Sequence, residues 1–389
     1  MKVAIVLPTY NEEGNIQRLI TLLEEEIFPQ IKNHNIHIIV ADDNSPDGTG
    51  KIVEDLIKKY KNLHIVYGEK QGLGAAYLRG MTAGVEKLHA DVLFEIDADF
   101  YHDPKKIPEF LKKIEEGYDF VIGTRYNNGG AIPKNWGLHR KIFSIFANLL
   151  IRTILFRFSI HDWTGGYRAI KKEVFLKERN EFAKYGGYTF QVAVLYNAVL
   201  DGFKIAEVPF HATDRVLGRS KIAPFDYIKN LLQYVIVSKF IEIWNSPFPK
   251  YAIVGFSGYL INAISLEIIK NSFGLSSGLS AALGGELTNI WNFLLNNYWA
   301  FSSQKITSFN KLFSKFVQFN IVAFGSLVLI GLFVEAATSL YSDTSLVRQV
   351  ALFVSIPLLV IPYSYTMYNI FIWKRWHIPF LSKLQKIAG

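Results

Sequence analysis

Four long apolar runs crowd the carboxy-terminal part of the chain, at about 251 to 270, 278 to 300, 316 to 340 and 347 to 373. Each is close to the roughly 20 residues a helix needs to cross a bilayer. Helices of a large soluble core are the alternative, but four such runs in succession, with an uneven placement of lysine, argue for a membrane. Lys239, Lys250, Lys305, Lys311, Lys315, Lys374, Arg375, Lys383 and Lys386 fall before the first run, between the second and third, and after the fourth. The other two short loops carry little positive charge beyond Lys270 and Arg348. Because positive loops stay on the cytoplasmic side, both chain ends and the large amino-terminal part are expected in the cytoplasm of a multi-pass cell-membrane protein. The opening MKVAIVLPTYNEE supports this, since it reads as a strand ended by Pro8 and followed by acids rather than as a signal peptide. Glu267, Glu286 and Glu335 fall within the apolar runs, where each lines a polar interior or sits near an interface.

The first 240 or so residues have a different texture, with charges throughout. VAIVLP, IHIIVADD, LHIVYG, DVLFEIDAD, DFVIGTR and KIAEVPF are short β-rich runs, separated by segments of helical periodicity such as NIQRLITLLEEEI and KIPEFLKKIEEG. Strands this apolar, joined by helices, predict a mostly parallel α/β sheet covered on both faces. Ligands of such sheets bind beyond the carboxyl ends of the strands. Thr9, Tyr10 and Glu12, then Asp42 and Asp43, then Asp97 and Asp99, then Arg125 all fall at those ends. Between the two parts, residues 224 to 246 place apolar residues at helical spacing, with Lys229, Gln233 and Lys239 toward the other side. That pattern fits either a helix on the membrane surface or one packed on the globular domain. The expected domains are thus 1–222, an interface helix region 223–247, and a helical membrane domain 248–389. Within the last, IVGFSG at 253 is echoed by IVAFGS at 321, and NFLLNNYW at 292 by NIFIWKRW at 369, which points to two related hairpins.

Composition removes several chemistries. The chain has no cysteine, so disulfides, thiolate metal sites and a cysteine nucleophile are excluded. A formal net charge of +8 suits an anionic partner such as a nucleotide, a lipid phosphate or a membrane surface. No basic helix suited to a nucleic-acid groove is present, and no nucleic-acid partner is expected.

The stretch FEIDADFYHDP puts two carboxylates, Asp97 and Asp99, at the end of a buried strand, where unpaired negative charge is costly. A hard divalent cation would balance them, since magnesium takes one or two carboxylates and completes its shell with substrate phosphates. Helix capping is the structural alternative, because Pro104 is placed to open a helix just beyond. Three further stretches bear on the choice. DDNSPDGT at 42 to 49 reads as a tight turn with Asp47 or Thr49 as a cap. In EKQGLGAAYLRG at 69 to 80, Gly72 and Gly74 leave room for backbone to approach a phosphate. In DRVLGRSK at 214 to 221, Arg215 and Lys221 flank Gly218 and Ser220, which taken alone fits a solvated basic loop as well as one that closes over a diphosphate.

Taken in order, these stretches resemble the dolichyl-phosphate mannose synthase family, inverting nucleotide-sugar glycosyltransferases of GT-A fold in glycosyltransferase family 2. The likeness also runs through LPTYNEEGNI, IGTRYNNGG, NWGLHRKIFSIFANLL, DWTGGYRAIKKEVF, GGYTFQVAVL and VPF, covering nearly all of residues 1 to 222. The apolar part resembles a GtrA-like membrane module, most clearly in NFLLNNYWAF. The resemblance implies that Pro8, Tyr10, Glu12, Ala41, Asp42 and Asp43 hold the nucleoside, and that Asp97, Ala98 and Asp99 hold ribose, diphosphate and metal. It further implies phosphate contacts from Arg125, Arg215 and Lys221, which with Asp97 and Asp99 make up the catalytic set. Arg140 and Ser144, with Arg125, are implied for the acceptor's phosphate. The cofactor would be Mg2+ or Mn2+, the donor GDP-mannose and the acceptor a dolichyl or other polyprenyl phosphate embedded in the bilayer. One position departs from the pattern: Tyr101 stands where many members carry a glutamine as a further metal ligand, and His102 or water is the substitute. Competing expectations are a UDP-glucose donor, a membrane module that itself flips the glycolipid, and a nucleotide-sugar-binding regulator without catalysis.

Overall fold

The computed structural model describes residues 1–187, 189–213, 224–275, 277–342 and 344–376. The chain divides into two compact units, Met1–Lys239 and Phe240–Gly389.

The first unit alternates strand and helix: β1 (Lys2–Thr9), α1 (Glu13–Leu22), β2 (Asn35–Asp42), α2 (Thr49–Lys59), β3 (Leu63–Tyr67), α3 (Leu73–Glu86), β4 (Val92–Glu95), α4 (Ile107–Glu115), β5 (Phe120–Thr124), α5 (Leu138–Leu155), β6 (Arg168–Lys171), α6 (Lys172–Lys184), α7 (Thr189–Leu200), β7 (Ile205–Pro209) and the larger part of α8 (Pro224–Asn245), within which the unit boundary falls. The sheet runs β3-β2-β1-β4-β6-β5-β7. Pairings β1–β2, β1–β4, β2–β3 and β5–β7 are parallel, so the expectation of a mostly parallel sheet holds. The exception is β6, antiparallel to both β4 and β5. Sequence periodicity missed it because the strand is only RAIK, and its buried Arg168 breaks the apolar pattern. Arg168 is tolerated there because its Nε and Nη2 donate to the carbonyls of Gly165 and Gln191 at 3.0 and 2.8 Å. Pro8 lies inside β1, opposite Ala41, and does not end the strand. Its missing N–H is harmless there, because the ladder to β4 has already stopped at Val6.

Side-chain alternation splits the core into two layers. Val3, Ile5, Leu7, Val40 and Phe94 pack on one face with α1 and α4, whereas Ala4, Val6, Ala41 and Leu93 pack on the other with α3, α6 and α7. With helices on both faces, the loops at the strand ends are the surface left for a site. The helix α8 contributes Leu231, Tyr234 and Val235 to the second layer, so this part of it packs on the globular unit.

Two glycines marked in the sequence are required by the fold, one for its backbone conformation and one for packing. Gly72 caps α3 with a φ of +103°, which a side chain would strain. At Gly74 a Cβ would collide with the carbonyl oxygen of Phe182, so this residue allows α3 to touch the end of α6.

The second unit contains α9 (Phe248–Phe273), α10 (Ser277–Leu295), α11 (Phe309–Leu340), α12 (Ser345–Ser355) and α13 (Ile361–Met367). Among the described residues, three helical stretches are long and apolar enough to cross a membrane: Phe248–Phe273, Phe309–Leu340 and Phe353–Ile372. The expected run 278 to 300 falls on α10 and its extension but does not reach that apolarity, because Glu286, Thr288, Asn289 and Asn292 dilute it. Those polar groups serve helix packing: Thr288 donates to the Gly258 carbonyl at 3.3 Å and Asn289 to Asn320 at 2.7 Å. The two echoing stretches each overlap a π-helical turn, at Asn296–Ala300 and Tyr368–Ile372. The residues that follow these turns, Phe301 and Trp373, stack with ring centroids 4.2 Å apart.

Replacing Gly74 by valine should lower the stability of the full-length protein by about 2 to 4 kcal/mol, because a backbone carbonyl cannot move aside. Gly186→Ala, at a position with open space around it, is the control and should stay within about 0.5 kcal/mol in the same unfolding measurement.

Candidate active site

Beyond the ends of β1, β2 and β4, the polar clusters sort into frame and site. Asp42 is held by its own turn and by β1. Its Oδ1 accepts from the hydroxyls of Thr9 (2.8 Å) and Ser45 (2.6 Å), and its Oδ2 accepts from the Ser45 amide (2.8 Å). Asp47 accepts from the Thr49 amide and hydroxyl at 3.0 and 2.6 Å, and from the Glu13 amide at 3.1 Å. This is the turn chemistry expected of DDNSPDGT. Asp43 instead meets Arg79 of α3 at 2.5 Å, a partner the sequence did not single out. Lys70 sits over the ring of Tyr10 at 3.4 Å, and Asn15 donates to Glu12 at 2.9 Å.

The acidic pair stands on the loop after β4. Capping of the following helical turn falls to Asp103, whose side chain accepts from the Lys105 amide at 3.0 Å. The helix cap that the sequence offered as an alternative for Asp97 and Asp99 is thus made by Asp103. Tyr77, fully buried on α3, donates its hydroxyl to Asp97 Oδ1 at 3.0 Å. Burial and the Asp97 carboxylate hold that phenol well above its ordinary pKa, so it remains a donor. The Asp97 amide donates to His102 Nδ1 at 3.1 Å, which fixes the proton on Nε2, 4.0 Å from Asp97 Oδ2. His102 is itself buried and stacked on Tyr167 at 4.9 Å. Asp99 Oδ1 accepts from the Tyr101 amide at 3.1 Å. Between them Phe100 takes a φ of +63°, a strained value for a bulky residue. Thr213 holds this turn by bonding the Phe100 carbonyl with its hydroxyl and the Tyr101 carbonyl with its amide.

Among the described residues, no group of three or more His, Asp or Glu side chains could hold a metal. Two carboxylates on one loop nevertheless fit magnesium or manganese bound with help from substrate phosphates. Tyr101 does not supply a third ligand: its hydroxyl accepts from Arg125 Nη1 at 2.8 Å and its ring stacks on Trp136. Burial, only partly opposed by Arg125, raises its pKa and keeps it a neutral phenol.

Arg125, at the end of β5, is buried and locked to Asp162. Its Nε and Nη2 reach the two carboxylate oxygens at 2.7 Å each, and Nη2 also donates to Thr164 at 3.0 Å. Asn148 of α5 ties the same loop down, donating to Thr164 at 3.2 Å and accepting from the Trp163 amide at 2.7 Å. Sequence reasoning missed Asp162, Thr164 and Asn148, because nothing local marks a partner 37 residues away from Arg125. On α5, Arg140 stacks on Trp136 at 3.8 Å and Ser144 shares a 2.5 Å hydrogen bond with the Tyr126 hydroxyl. The outer face of that helix, with Leu138, Ile142, Phe143, Ile145, Phe146 and Leu149, is exposed. Arg215 and Lys221 lie outside the described residues. Pro8, Ala41 and Ala98 stand at the strand ends, with Ala41 and Ala98 buried.

Seven strands in this order, with an acidic pair on the loop after the fourth, define a GT-A glycosyltransferase. Residues 4–178 match glycosyl transferase family 2, and residues 250–373 match the GtrA/DPMS transmembrane domain. Polyprenol monophosphomannose synthase of Mycolicibacterium smegmatis is 38% identical over 221 residues, 56% of this chain and 80% of the relative. Dolichol-phosphate mannosyltransferase of Pyrococcus furiosus is 32% identical over 338 residues, 84% of this chain and 88% of the relative. Among solved structures, glucosyl-3-phosphoglycerate synthase from Mycobacterium tuberculosis, in complex with Mn2+, UDP and phosphoglyceric acid, superposes with a TM-score of 0.44 at 17% identity, over 62% of this chain and 78% of that one. The chain belongs to the dolichyl-phosphate mannose synthase family, within glycosyl transferase family 2, and carries its transmembrane domain.

Directly beneath the acidic pair, Glu95 is fully buried with Gln191 as its 2.8 Å donor, and burial pushes its pKa up to about 7. A carboxyl raised from 4.5 in the folded state contributes stability that is complete below about pH 4.5 and is lost as pH rises through 7. The stability of the native protein relative to Glu95→Gln should therefore fall by about 1 to 3 kcal/mol between pH 4.5 and 7.5. Unfolding curves that keep a constant separation across that range would contradict it.

Proposed function

We propose that the protein transfers mannose from GDP-mannose to a dolichyl or related polyprenyl phosphate, with inversion to a β-linked lipid product. The observation that carries this reading is the position of the acidic pair: Asp97 and Asp99 stand on the loop after β4, while Asp103 caps the helical turn that follows. The names borne by the two relatives support a polyprenyl phosphate acceptor and mannosyl transfer.

In this reading Asp97 and Asp99 hold Mg2+ or Mn2+, and the metal supplies neutralisation of the diphosphate leaving group. Tyr77 and His102 orient Asp97, and the Thr213 contacts hold the strained turn that aims Asp99. Tyr10, Glu12 and Asp43, with Pro8, Ala41, Asp42 and Ala98, form the nucleoside side of the site, while Arg215 and Lys221 complete the diphosphate side. Arg140 and Ser144 receive the acceptor, whose lipid chain has the exposed apolar face of α5 beside it. A phosphate acceptor is already anionic at neutral pH, so no side chain has to remove a proton from it. The task is electrostatic and positional: bring two anions together, align the attacking oxygen and stabilise the departing diphosphate. The catalytic unit then works on the cytoplasmic side of the cell membrane, as the lysine distribution expects.

Purified protein given Mg2+ or Mn2+, a polyprenyl phosphate and each labelled nucleotide sugar in turn should place label in the lipid extract from GDP-mannose. Incorporation from UDP-glucose instead would overturn the donor assignment. Asp99→Ala should reduce turnover by at least about a hundredfold with the fold intact.

A further inference from the structure

The turn at Phe100 is held from two sides. A left-handed backbone is unfavourable for a bulky side chain, and Phe100 nevertheless takes it, with a φ of +63°. On one side Arg18 of α1 stands over the Phe100 ring, 5.4 Å from its centroid. On the other, the Thr213 hydroxyl donates to the Phe100 carbonyl and the Thr213 amide donates to the Tyr101 carbonyl at 3.4 Å. The turn in turn orients Asp99, whose Oδ1 takes the amide of Tyr101 two residues on.

Thr213 is carried there by the continuation of β7, the strand at the edge of the sheet. The Phe210 amide donates to the Thr124 carbonyl at 3.1 Å, the Ala131 amide to the Phe210 carbonyl at 3.0 Å, and the Ala212 amide to the Ala131 carbonyl at 2.9 Å. The segment thus begins beside Thr124, the residue before Arg125, and ends on the loop of the acidic pair. Glu207, on the same strand, accepts from the amides of His161 and Asp162. One edge strand therefore serves both flanks of the site, through Glu207 for the carboxylate that holds Arg125 and through Thr213 for Asp99. The ties along the segment are made by backbone groups and survive a change of side chain. The Thr213 hydroxyl is the exception: a residue of the same shape without it keeps the segment in place and loses the grip on Phe100.

We propose that Thr213 is a positioning residue that sets the strength of cation binding: its hydroxyl keeps Phe100 left-handed, and that conformation gives Asp99 its hold on the metal and, through the metal, on the diphosphate. This rests on the metal-dependent reading above and goes beyond it, since part of the affinity is assigned to a side chain that acts only through a backbone carbonyl. Two substitutions separate this role from general support of the fold. Thr213→Val keeps the branched shape and removes the bond, whereas Thr213→Ser keeps the bond. A third, Phe100→Asn, installs a residue that accepts the left-handed region unaided, so the hydroxyl loses its purpose there.

The test is a calorimetric titration of GDP into the full-length protein, with Mn2+ present and after chelation, for wild type, the three single variants and the Phe100→Asn/Thr213→Val pair. Thr213→Val should lose about fivefold in GDP affinity with Mn2+ and nothing after chelation, while Thr213→Ser stays within about twofold of wild type throughout. Added to Phe100→Asn, the same Thr213→Val change should cost less than about twofold, because the two positions act as one unit. Thr213→Val within about twofold of wild type in Mn2+, equal losses with and without metal, or an undiminished loss in the Phe100→Asn background overturns the role of Thr213 alone. A wild type whose GDP affinity does not change on chelation overturns the metal reading together with it.

Discussion

The ion pair between Arg125 and Asp162 organises the catalytic unit. Both residues are almost completely buried, and their two parallel 2.7 Å bonds join the end of β5 to a loop that follows α5. A buried pair of this kind is costly to break from one side, since the survivor is left as an uncompensated charge. The pair is held in turn from the sheet edge. Glu207 on β7 accepts from the amides of His161 and Asp162 at 2.6 and 3.3 Å, contacts His161 Nδ1 at 2.6 Å and accepts from Asn127 at 3.2 Å. One carboxylate thus sets the backbone that presents another. Because Asp162 neutralises Arg125, the arginine is not the counter-charge of the acidic pair, and in the proposed reading a divalent cation takes that role.

Catalysis by neutralisation makes sense of where strain and burial are placed. Phe100 is held in a left-handed conformation between Asp99 and Tyr101, and Tyr77 and His102 fix Asp97 from below. Such pre-set carboxylates require little rearrangement when charge develops on a leaving diphosphate. On the opposite flank α5 docks through Ser144, Asn148, Ile151 and Leu155 and leaves its other face bare. Polar anchorage on one side and exposed apolar surface on the other is the arrangement a lipid-borne anion requires.

Much of this was legible in the sequence, for identifiable reasons. Apolar runs such as VAIVLP and IHIIVADD are long and periodic enough to read as strands, and the strand-end rule then gathers Asp42, Asp97 and Arg125 at one edge of the sheet. What stayed hidden depends on distant partners. RAIK reads as no strand because a buried arginine interrupts it, and only the carbonyls of Gly165 and Gln191 make that arginine tolerable. The packing reason for Gly74 lies in Phe182, more than a hundred residues further along the chain. Likewise, Tyr101 takes the place of a metal ligand in the chain but is committed to Arg125 in space. In the membrane unit, Glu286, Asn289 and Asn292 make α10 less apolar than its neighbours because they face other helices, a fact no hydropathy window contains.

The central claim is that a divalent cation joins Asp97 and Asp99 to the donor's diphosphate. It is tested most directly by calorimetric titration of GDP into the full-length protein, with Mn2+ present and after exhaustive chelation, in wild type and in Asp99→Asn. The account predicts that chelation weakens GDP binding by at least about tenfold and that Asp99→Asn shows the weak affinity with or without metal. GDP affinity that is the same in all four titrations would contradict it.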